Sequence, residues 1–579
     1  MACEFARHFP WQANIAVFVE NSHFEEKKVS KAFNPILTGF HADPSICYVN
    51  GEYFIANSTF EWYPGVELHR SKDLVHWTSV PSPLSEERLL NMAGNIESCG
   101  IWAPCLSYSE GKFWLIYTNV RSWNAGPWKD TPNFLTTAES IEGPWSDPVF
   151  LNASGFDPSM FHDDDGRHWY LNMEWDYRKA CTNHIDGAPQ FTGIVLQEYS
   201  ATKKRLIGKP KKIFTGSDIG CVEGTHLYKR NGWYYIISAE GGTSYEHAIT
   251  VGRSRSLFGP YELHPTNPLI SAYGHPELKI QKAGHGQWAE GADGKTYLVY
   301  LCGRPLPGTK NCPLGRETSF AEIKWQDDWP WVMQADGSLK NTPPDYVEVP
   351  AKAELLPGEK DRNLVGKRAD EYCRVTKYTF NGLDFLADFK TLRLPIMTKK
   401  SKRFSIDARK GFLRIVGGQS PISTFEQGIL CRRQTDFVFE AETKMEFNPT
   451  YFQHLAGLTY RYSETTQYNL CVTYDEELGR VIQFQSFMLG DYREGQKIAV
   501  PKDGPLWLKV SANYDTAVFS YSLDGKAWRP IRPLLDVNKL TDEYGGMGFT
   551  GAFVGMFCVD MAEYANYADF EYFTYSKAE

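Results

Sequence analysis

The chain has 579 residues, more than one ordinary hydrophobic core holds, so we expect at least two domains. Aromatic residues make up 15% of it, with 48 Gly and 33 Pro, a composition typical of short strands joined by tight turns. The formal net charge of −9 argues against a nucleic-acid partner or an anionic membrane surface. We interpret the basic run 203–212 as a solvated strand end and loop.

Residues 1–32 form a charged N-terminal extension. Its longest apolar run, 15–19, is too short for a signal peptide or a membrane span. The twelve cysteines include no CxxC pair and no zinc-binding spacing. We therefore expect reduced thiols and a cytoplasmic location, with secretion as the less favoured alternative.

From residue 33 onward one pattern recurs five times. Each unit opens with a strand of about five residues, turns at a glycine, and returns through an aromatic-rich strand. The turn glycines are Gly51, Gly111, Gly166, Gly232 and Gly294. The openings recur every 54 to 66 residues, which is typical of a propeller blade. Residues 33–335 thus predict a five-bladed β-propeller, with a sandwich of similar hairpins as the alternative.

The opening residues of the units point to a shared site. They are Asp43, Ala103, Asp157, Glu223 and His285. Taken alone, Asp43 would be a turn former, since an aspartate before proline favours extended backbone and local hydrogen bonds. The first strand of each blade lines the central channel, however, so we expect these five residues to converge on the axis. Three carboxylates gathered there would repel each other and destabilise the fold unless the site had a use.

The residue types fit the hydrolysis of sugars. Two opposed carboxylates hydrolyse a glycosidic bond when one protonates the leaving oxygen and the other activates water or attacks directly. A third carboxylate can raise the pKa of the acid and orient it. Phe60, Trp62 and Trp102 offer stacking faces for a sugar, although each could equally pack between blades. His285 could be a satisfied axial histidine or a ligand of a bound cation.

Six motifs carry a family resemblance. In chain order they are FHADPSI, GIWAPCLSYS, GFDPSMF, VEGTHLY, GHGQW and CPLGRET. With them the chain resembles glycoside hydrolase family 43, specifically its two-domain β-xylosidases, from about Phe33 to the C-terminus. The resemblance implies a five-bladed propeller, hydrolysis with inversion and no required cofactor. It implies that Asp43 is the general base, Glu223 the general acid, and Asp157 the residue that tunes the acid and orients substrate.

The resemblance also implies a set of residues around the terminal sugar. They are Phe60, Trp102, Ala103, Thr243, His285 and Arg316. The guanidinium of Arg316 suits hydroxyl groups because its planar fork offers several fixed donors, and a surface ion pair is its alternative role. Some family members hold a calcium ion beside an axial histidine. His285 is therefore also the expected neighbour of a structural Ca²⁺, and no metal ligand is assigned.

A second domain follows the repeats. Residues 336–365 are rich in proline and charge and predict a linker or crossing segment. Alternating strands resume in 366–579 and include a hairpin at Asp524-Gly525, so we expect a concanavalin-like β-sandwich. Its role could be sugar binding or structural. The resembled xylosidases send a loop of this domain over the pocket, and GFTGAFVGM, residues 548–556, matches that loop, with Phe553 expected to enter.

The repeats predict an all-β protein, and the resemblance implies that it is an inverting exo-acting hydrolase. It would release xylose from the non-reducing ends of 1,4-β-xylo-oligosaccharides, with α-L-arabinofuranosidase activity beside this or as the main activity. A non-catalytic carbohydrate-binding propeller is the alternative from another class. A serine hydrolase is disfavoured because the chain has no GxSxG motif. The expected partners are a xylo-oligosaccharide or an arabinose-substituted substrate, and further copies of the chain in a homo-oligomer.

Overall fold

The computed structural model describes residues 29–123, 127–181, 189–350, 375–395, 403–545 and 548–577. These residues form 40 strands, numbered β1 to β40, and a few short helices. The helices are three 3₁₀ segments, Tyr177–Cys181, Asp384–Ala387 and Val537–Lys539, and one α-helix, Asp542–Gly545. No helix within the described ranges combines the length and the apolar character that crossing a membrane requires.

The N-terminal part of the described chain contains five antiparallel sheets in succession. β1 (Val29–Phe33) precedes them. The first blade contains β2 (Ala42–Val49), β3 (Glu52–Ser58), β5 (Glu67–Ser71) and β6 (Thr78–Val80), while β4 (Trp62–Tyr63) leaves this sheet. The second blade contains β7 (Gly100–Ser109), β8 (Lys112–Val120), β9 (Asn133–Ala138) and β10 (Val149–Asn152).

The remaining three blades follow the same order. The third contains β11 (Ser159–His162), β12 (His168–Trp175), β13 (Phe191–Ser200) and β14 (Arg205–Phe214). The fourth contains β15 (Glu223–Arg230), β16 (Trp233–Glu240), β17 (Ala248–Ser254), β18 (Glu262–Leu263) and β19 (Ile270–Ser271), the last two both pairing with β17. The fifth contains β20 (Gln281–Glu290), β21 (Thr296–Gly303), β22 (Arg316–Gln326) and β23 (Trp329–Met333). The predicted five-bladed propeller is confirmed.

The turn glycines explain why the hairpins form where the sequence predicts them. Gly51, Gly111, Gly166, Gly232 and Gly294 all have φ between 72° and 88°. In three blades the residue before the glycine is also left-handed, with φ of 52° at Asn50, 54° at Glu110 and 51° at Asn231. Two successive left-handed residues match the twist of paired strands, so these turns hold each hairpin in register.

The ends of the propeller meet. β1 pairs antiparallel with β24 (Tyr346–Pro350), so residues 346–350, within the segment predicted as a linker, form a strand. Residues 351–365 of that segment and residues 1–28 of the predicted extension lie outside the described residues. The segment before β2 runs beside β22, where the His41 N–H donates to the Arg316 carbonyl at 2.8 Å. The start of the first blade therefore lies next to the fifth.

The C-terminal part is a sandwich of two large antiparallel sheets. One contains β25 (Val375–Thr379), β27 (Phe404–Ser405), β28 (Leu413–Val416), β30 (Val438–Phe447), β36 (Leu506–Asn513), β37 (Thr516–Ser522), β38 (Arg529–Asp536) and β40 (Tyr567–Lys577). The other contains β26 (Phe389–Leu392), β29 (Gly428–Arg433), β31 (His454–Arg461), β32 (Thr466–Asp475), β33 (Gly479–Met488), β34 (Asp491–Glu494), β35 (Ile498–Ala499) and β39 (Phe553–Asp560). Buried side chains such as Phe439, Leu458 and Phe570 fill the space between them. The predicted sandwich is confirmed.

The two domains share a sheet and a hydrophobic cluster. β4 of the propeller pairs with β26, so it becomes the edge strand of the second sandwich sheet. Beside it, the ring of Trp62 stacks on that of Phe553 with centroids 3.8 Å apart. The shared cluster is continuous from Phe40 and Trp102 of the propeller to Phe557 of the sandwich. The sandwich is thus held against the face of the propeller that carries the predicted site.

Candidate active site

β-Bulges at the start of the first strands aim side chains at the propeller axis. In the first blade Ala42 pairs with Ser58 and the next pair is Ser45 with Ala56, so Asp43 is left out of the ladder. Asp43 has φ of 50°, and Ala103, Asp157 and His285 at the openings of other blades have φ of 39°, 54° and 40°. A bulge re-aims one side chain out of the ladder, and left-handed backbone in non-glycine residues is concentrated at functional sites.

The fourth blade departs from the predicted equivalence. Glu223 occupies the paired position before the bulge, which Ala42 occupies in the first blade. The residue that corresponds to Asp43 is Gly224, which has left-handed backbone with φ of 54°. The prediction that Glu223 shares the repeat position of Asp43 is therefore wrong by one residue. A Cβ at Gly224 would lie 2.7 Å from Nε2 of His285, so glycine leaves room for that imidazole. Glu223 lies beside the axis from the preceding position and is 7% exposed.

Asp43 is surrounded by donors. Ser58 Oγ donates to Asp43 Oδ2 at 2.6 Å, and Arg316 Nη1 donates to Oδ1 at 3.2 Å. His285 Nδ1 lies 3.8 Å from the same Oδ1. Burial alone raises the pKa of Asp43, but the Arg316 guanidinium, His285 and the Ser58 hydrogen bond outweigh it, and the pKa lies below its ordinary value. This carboxylate is therefore ionised at neutral pH.

The other two carboxyl groups lie in the opposite environment. Burial and the negative charge of Asp43 hold the pKa of Asp157 well above its ordinary value, although Arg316 and a backbone hydrogen bond from Gly224 oppose the shift. Burial, Asp157 and Asp43 hold the pKa of Glu223 well above its ordinary value. Like charges in a low-dielectric site disfavour further ionisation, so Glu223 holds its proton to a higher pH than Asp43 does.

The pocket thus holds a base and an acid at the same pH. Environments that push the pKa values of neighbouring titratable groups apart are the mark of an acid and base pair. Asp43, Asp157 and Glu223 are between 5% and 7% exposed, so all three lie inside the molecule at the axis. Such a pair can protonate a leaving oxygen and deprotonate a water molecule in one step.

His285 lies between the two aspartates. Its Nδ1 is 3.9 Å from Asp157 Oδ2, and burial lowers the pKa of its imidazole. His285 and the two aspartates line a cavity of about 10 Å³ together with Ser45, His226 and three prolines among others. Calcium takes about six to eight oxygen ligands. The side chains of this lining offer two carboxylates and one hydroxyl, so Ca²⁺ would need water and backbone oxygens beside them, and a calcium ion near His285 stays a prediction.

Aromatic rings form one wall of the site. Phe60 lies 5.7 Å from Trp102 between ring centroids, and Phe549 lies 6.0 Å from Phe60 and 5.4 Å from Trp102. Trp123 closes the group at 4.9 Å from Phe549. Three of these residues belong to the propeller, whereas Phe549 comes from the loop before β39 of the sandwich.

The loop residue at the pocket is therefore Phe549. Its carbonyl oxygen accepts hydrogen bonds from Arg316 Nη2 at 2.6 Å and Nε at 3.2 Å. Phe553, which was expected to enter, begins β39, is fully buried and stacks on Trp62. That expectation was wrong because the chain is already in the sheet at residue 553, and the ring of Phe553 packs in the interface between the domains.

The remaining expected sugar contacts occupy different places. The N–H of Ala103 donates to Ser58 Oγ at 2.7 Å, so this residue lies beside Asp43. Thr243 is half-buried in the loop between β16, which ends at Glu240, and β17. Neither arrangement establishes a sugar contact, and both stay predictions.

Sequence reasoning missed Ser58 and Phe549. The signal for Ser58 was available. Pairing the two strands outward from the turn at Gly51 places Ser58 opposite Ala42 at the start of β2, and hence beside Asp43. No local signal distinguishes Phe549 from Phe553, because the difference depends on where the sandwich meets the propeller.

One further cluster has the composition of a metal site. His41, Glu67 and His69 are buried with ligand atoms within 4.8 Å of one another. Arg433 Nη2 lies 2.5 Å and Lys390 Nζ 3.2 Å from the Glu67 carboxylate, however. Two cations already neutralise that group, so the cluster is an ion-pair network between the domains.

Comparison with known proteins finds relatives of both domains. The model of glycosyl hydrolases family 43 matches residues 32–330, and that of the beta xylosidase C-terminal concanavalin A-like domain matches residues 377–576. The chain is 44% identical to "Xylosidase/arabinosidase 43B" of Humicola insolens, covering 94% of this chain and 97% of that protein. It is 42% identical to the "Beta-xylosidase" of Bacillus subtilis (strain 168), covering 94% and 100%.

A solved structure agrees over the same length. The xylan beta-1,4-xylosidase from Bacillus halodurans C-125 has a TM-score of 0.86 and 45% identity, covering 94% of this chain and 100% of that chain. The likeness therefore spans both domains. With the propeller, the sandwich and the three buried carboxyl groups in place, the chain belongs to glycosyl hydrolase family 43.

Proposed function

We propose that this protein is an inverting exo-1,4-β-xylosidase. The observation that carries the proposal is that three buried carboxyl groups share one pocket, in which the pKa of Asp43 is lowered and that of Glu223 is raised well above its ordinary value. Asp43 is the general base, Glu223 the general acid, and Asp157 the residue whose proximity raises the pKa of the acid. We place the catalytic domain at 33–335 and the accessory domain at 366–579, joined by 336–365.

The proposed reaction is a single displacement. Asp43 takes a proton from water as that water attacks the anomeric carbon, and Glu223 gives its proton to the leaving oxygen on the opposite face of the sugar. The glycosidic bond breaks, and the new hydroxyl group takes the inverted configuration. Arg316 and Ser58 keep the base ionised and oriented through their hydrogen bonds to its two oxygens. No step uses a cofactor, and a structural Ca²⁺ near His285 remains a separate proposal.

The aromatic wall supports exo action. Phe549 reaches from the sandwich to Phe60 and Trp102 and is anchored by Arg316. A wall closed by a second domain makes a pocket with one open end, which admits the terminal sugar of a chain. Thr243, Ala103 and His285 are proposed to complete the contacts with that sugar.

An α-L-arabinofuranosidase activity is the nearest alternative. The terminal pentosides have similar shapes, and the Humicola insolens relative is named a xylosidase/arabinosidase. We propose it as a side activity on arabinose-substituted substrates. A non-catalytic sugar-binding propeller is less well supported, since buried acids are costly where no reaction uses them.

The cysteines support a location in the cytosol. All nine cysteines whose state the structure describes are free, and seven of them are buried. Reduced thiols are typical of the cytosol. A homo-oligomer stays a prediction.

Rates of hydrolysis of two aryl pentosides should distinguish the two activities. Hydrolysis of an aryl β-xyloside should exceed that of an aryl α-L-arabinofuranoside in kcat/KM, and proton NMR should show α-xylose as the first sugar released. A higher kcat/KM on the arabinofuranoside would make the alternative the main activity. β-Xylose as the first product would contradict inversion, and full activity of Glu223→Ala on oligosaccharides would contradict the catalytic assignment.

A further inference from the structure

A single serine joins two walls of the pocket that come from different domains. Ser98 is 1% exposed and lies in the segment before β7. Its carbonyl oxygen accepts a hydrogen bond from Trp102 Nε1 at 2.8 Å. Its hydroxyl oxygen accepts one from the N–H of Phe549 at 3.1 Å. One residue therefore holds an aromatic ring of the propeller and the loop of the sandwich.

Ser98 is itself held by a buried carboxyl group. Its N–H donates to Glu61 Oε2 at 3.0 Å, and Glu61 is 1% exposed. Ser98 has φ of 60°, a left-handed conformation that persists in a non-glycine residue only where the surroundings enforce it. Glu61 lies between the stacking residue Phe60 and strand β4, so the carboxyl group belongs to the same turn as the pocket wall.

The hydrogen bonds continue to the base. Phe549 is bound on both sides, through its N–H to Ser98 and through its carbonyl oxygen to the guanidinium of Arg316. Arg316 in turn donates to Asp43 at 3.2 Å. An unbroken series of contacts thus runs from Glu61 through Ser98, Phe549 and Arg316 to the carboxylate that activates water.

Glu61 takes part in the contact between the domains as well as in the fixation of Ser98. The backbone carbonyl of Glu61 accepts the N–H of Arg393 at 2.8 Å, next to the pairing of β4 with β26. Arg393 Nε donates to the carbonyl of Asn95 at 2.5 Å. The Arg393 guanidinium also opposes the rise that burial causes in the pKa of Glu61, so the carboxyl group lies near this contact while it accepts the N–H of Ser98. Glu61→Gln and Glu61→Leu both remove the charge, so a difference between these two variants reports the hydrogen bond to Ser98.

We propose that Glu61 and Ser98 are positioning residues that seat Phe549 and Trp102 around the sugar. This inference rests on the proposed function, because the sugar is the ligand that the seated rings contact. Neither residue takes part in proton transfer. Loss of the hydroxyl group of Ser98 frees the N–H of Phe549, so the ring and the Arg316 contact lose their fixed position.

Two substitutions of Ser98 test the hydroxyl group. Ser98→Ala and Ser98→Gly both remove it, and glycine adopts left-handed backbone without strain, so the second variant keeps its fold. We expect KM for an aryl β-xyloside to rise about tenfold and kcat to change less than threefold, because one hydrogen bond that supports binding is lost. Ser71→Ala is the matched control: Ser71 is buried and accepts the N–H of Leu74 at 2.9 Å in the first blade.

Two substitutions of Glu61 test the carboxyl oxygen. Glu61→Gln keeps an acceptor for the N–H of Ser98 and should retain the KM of the unaltered protein. Glu61→Leu removes the acceptor and should raise KM as Ser98→Gly does. Recovery by glutamine distinguishes positioning by a hydrogen bond from a general requirement for bulk at this site.

Hydrogen exchange gives a readout that needs no substrate. The amide of Phe549 should exchange at least tenfold faster in Ser98→Gly than in the unaltered protein, with no change in Ser71→Ala. Unchanged exchange together with unchanged KM in both Ser98 variants would overturn the proposal, as would an equal rise of KM in Ser71→Ala. If the unaltered protein does not hydrolyse the xyloside, the proposed function fails, and the exchange rates still decide whether Ser98 holds Phe549.

Discussion

The pKa values of two carboxyl groups in the same pocket shift in opposite directions because their neighbours differ. Asp43 accepts hydrogen bonds from Arg316 and Ser58, whereas Glu223 is buried beside Asp157 and Asp43, whose effect on its pKa exceeds that of Arg316. Each donor stabilises the ionised form of Asp43, and each nearby negative charge destabilises the ionised form of Glu223. The division of roles between base and acid therefore follows from contacts at single residues.

Leaving-group dependence should separate the two roles. Asp43→Asn should lower kcat by roughly 10² to 10⁴ on every xyloside, because water must be activated whatever departs. Glu223→Gln should lose as much on xylobiose but much less on a xyloside with a nitrophenolate leaving group, which needs no proton. Steady-state kinetics on a leaving-group series measures both.

The control for these variants is another buried aspartate of the propeller. Asp163 is ion-paired with Lys229 at 2.9 Å in the turn after β11, and Asp163→Asn should keep activity close to that of the unaltered protein. Equal losses of Glu223→Gln across the series would contradict the acid assignment.

The pH dependence should follow the two opposed pKa shifts. Activity needs Asp43 ionised, and its pKa is lowered, so kcat/KM should fall on the acid side only below the ordinary range of an aspartate. Activity needs Glu223 protonated, and its pKa is raised, so the basic limb should lie well above the ordinary range of a glutamate. Initial rates of xyloside hydrolysis against pH test this, and in Glu223→Gln the basic limb should disappear with an activated substrate. A basic limb that persists there unchanged would assign it to another group.

At the scale of residues, the sequence predicted the charged side chains of the pocket better than the residues that hold the pocket walls in place. Asp43, Asp157, Glu223 and Arg316 lie in motifs, and the structure gathers them into one pocket. Ser98 and Glu61 carry no motif of their own, because their importance arises from hydrogen bonds to residues distant in the chain.

Strands and turns could be predicted where local sequence determines them, but not where contacts between distant segments do. The five hairpins could be predicted because each turn contains a glycine with positive φ, which the sequence itself shows. The displacement of Glu223 by one residue could not, since it arises where Gly224 of the fourth blade meets His285 of the fifth. A repeat in the sequence reports the position of a strand but not the contacts that displace a single residue within it.

Strand β39 gives a second example. The motif at residues 548–556 correctly marks a segment that approaches the pocket, yet the segment divides between a loop and a strand. Phe549 is in the loop and contacts Arg316, while Phe553 is in the strand and fills the interface. Both are phenylalanines in similar local sequence, so only the position of the sheet separates their roles.

For the whole molecule, buried ion pairs connect the propeller to the sandwich. Glu67 of the first blade accepts hydrogen bonds from Arg433 Nη2 at 2.5 Å and Nη1 at 3.2 Å, and Lys390 lies 3.2 Å away. Burial alone raises the pKa of Glu67, but Arg433 and Lys390 outweigh it and hold the pKa well below its ordinary value. The stability that this group contributes is present above the pKa of an unfolded glutamate and is lost as pH falls.

Removal of that charge should destabilise the protein at neutral pH. Glu67→Gln leaves two buried cations without their partner, and the free energy of unfolding should fall by about 3 to 5 kcal/mol. Urea unfolding followed by fluorescence measures the loss. Glu142→Gln is the control, because Glu142 pairs with Arg70 at 3.0 Å while both side chains are more than 40% exposed. That exposed pair should contribute less than about 1 kcal/mol. Similar losses in the two variants would contradict a special role for the buried network.

The pairing of propeller strand β4 with the sandwich has a consequence for biosynthesis. β4 follows Phe60 and Glu61 directly, yet its partner β26 lies more than 300 residues later in the chain. A nascent chain that has emerged only as far as the fifth blade has neither that partner nor Phe549. Catalytic competence therefore arrives late in translation, after the second domain has left the ribosome, and an incomplete polypeptide would hold its acidic residues without an enclosed place for the sugar.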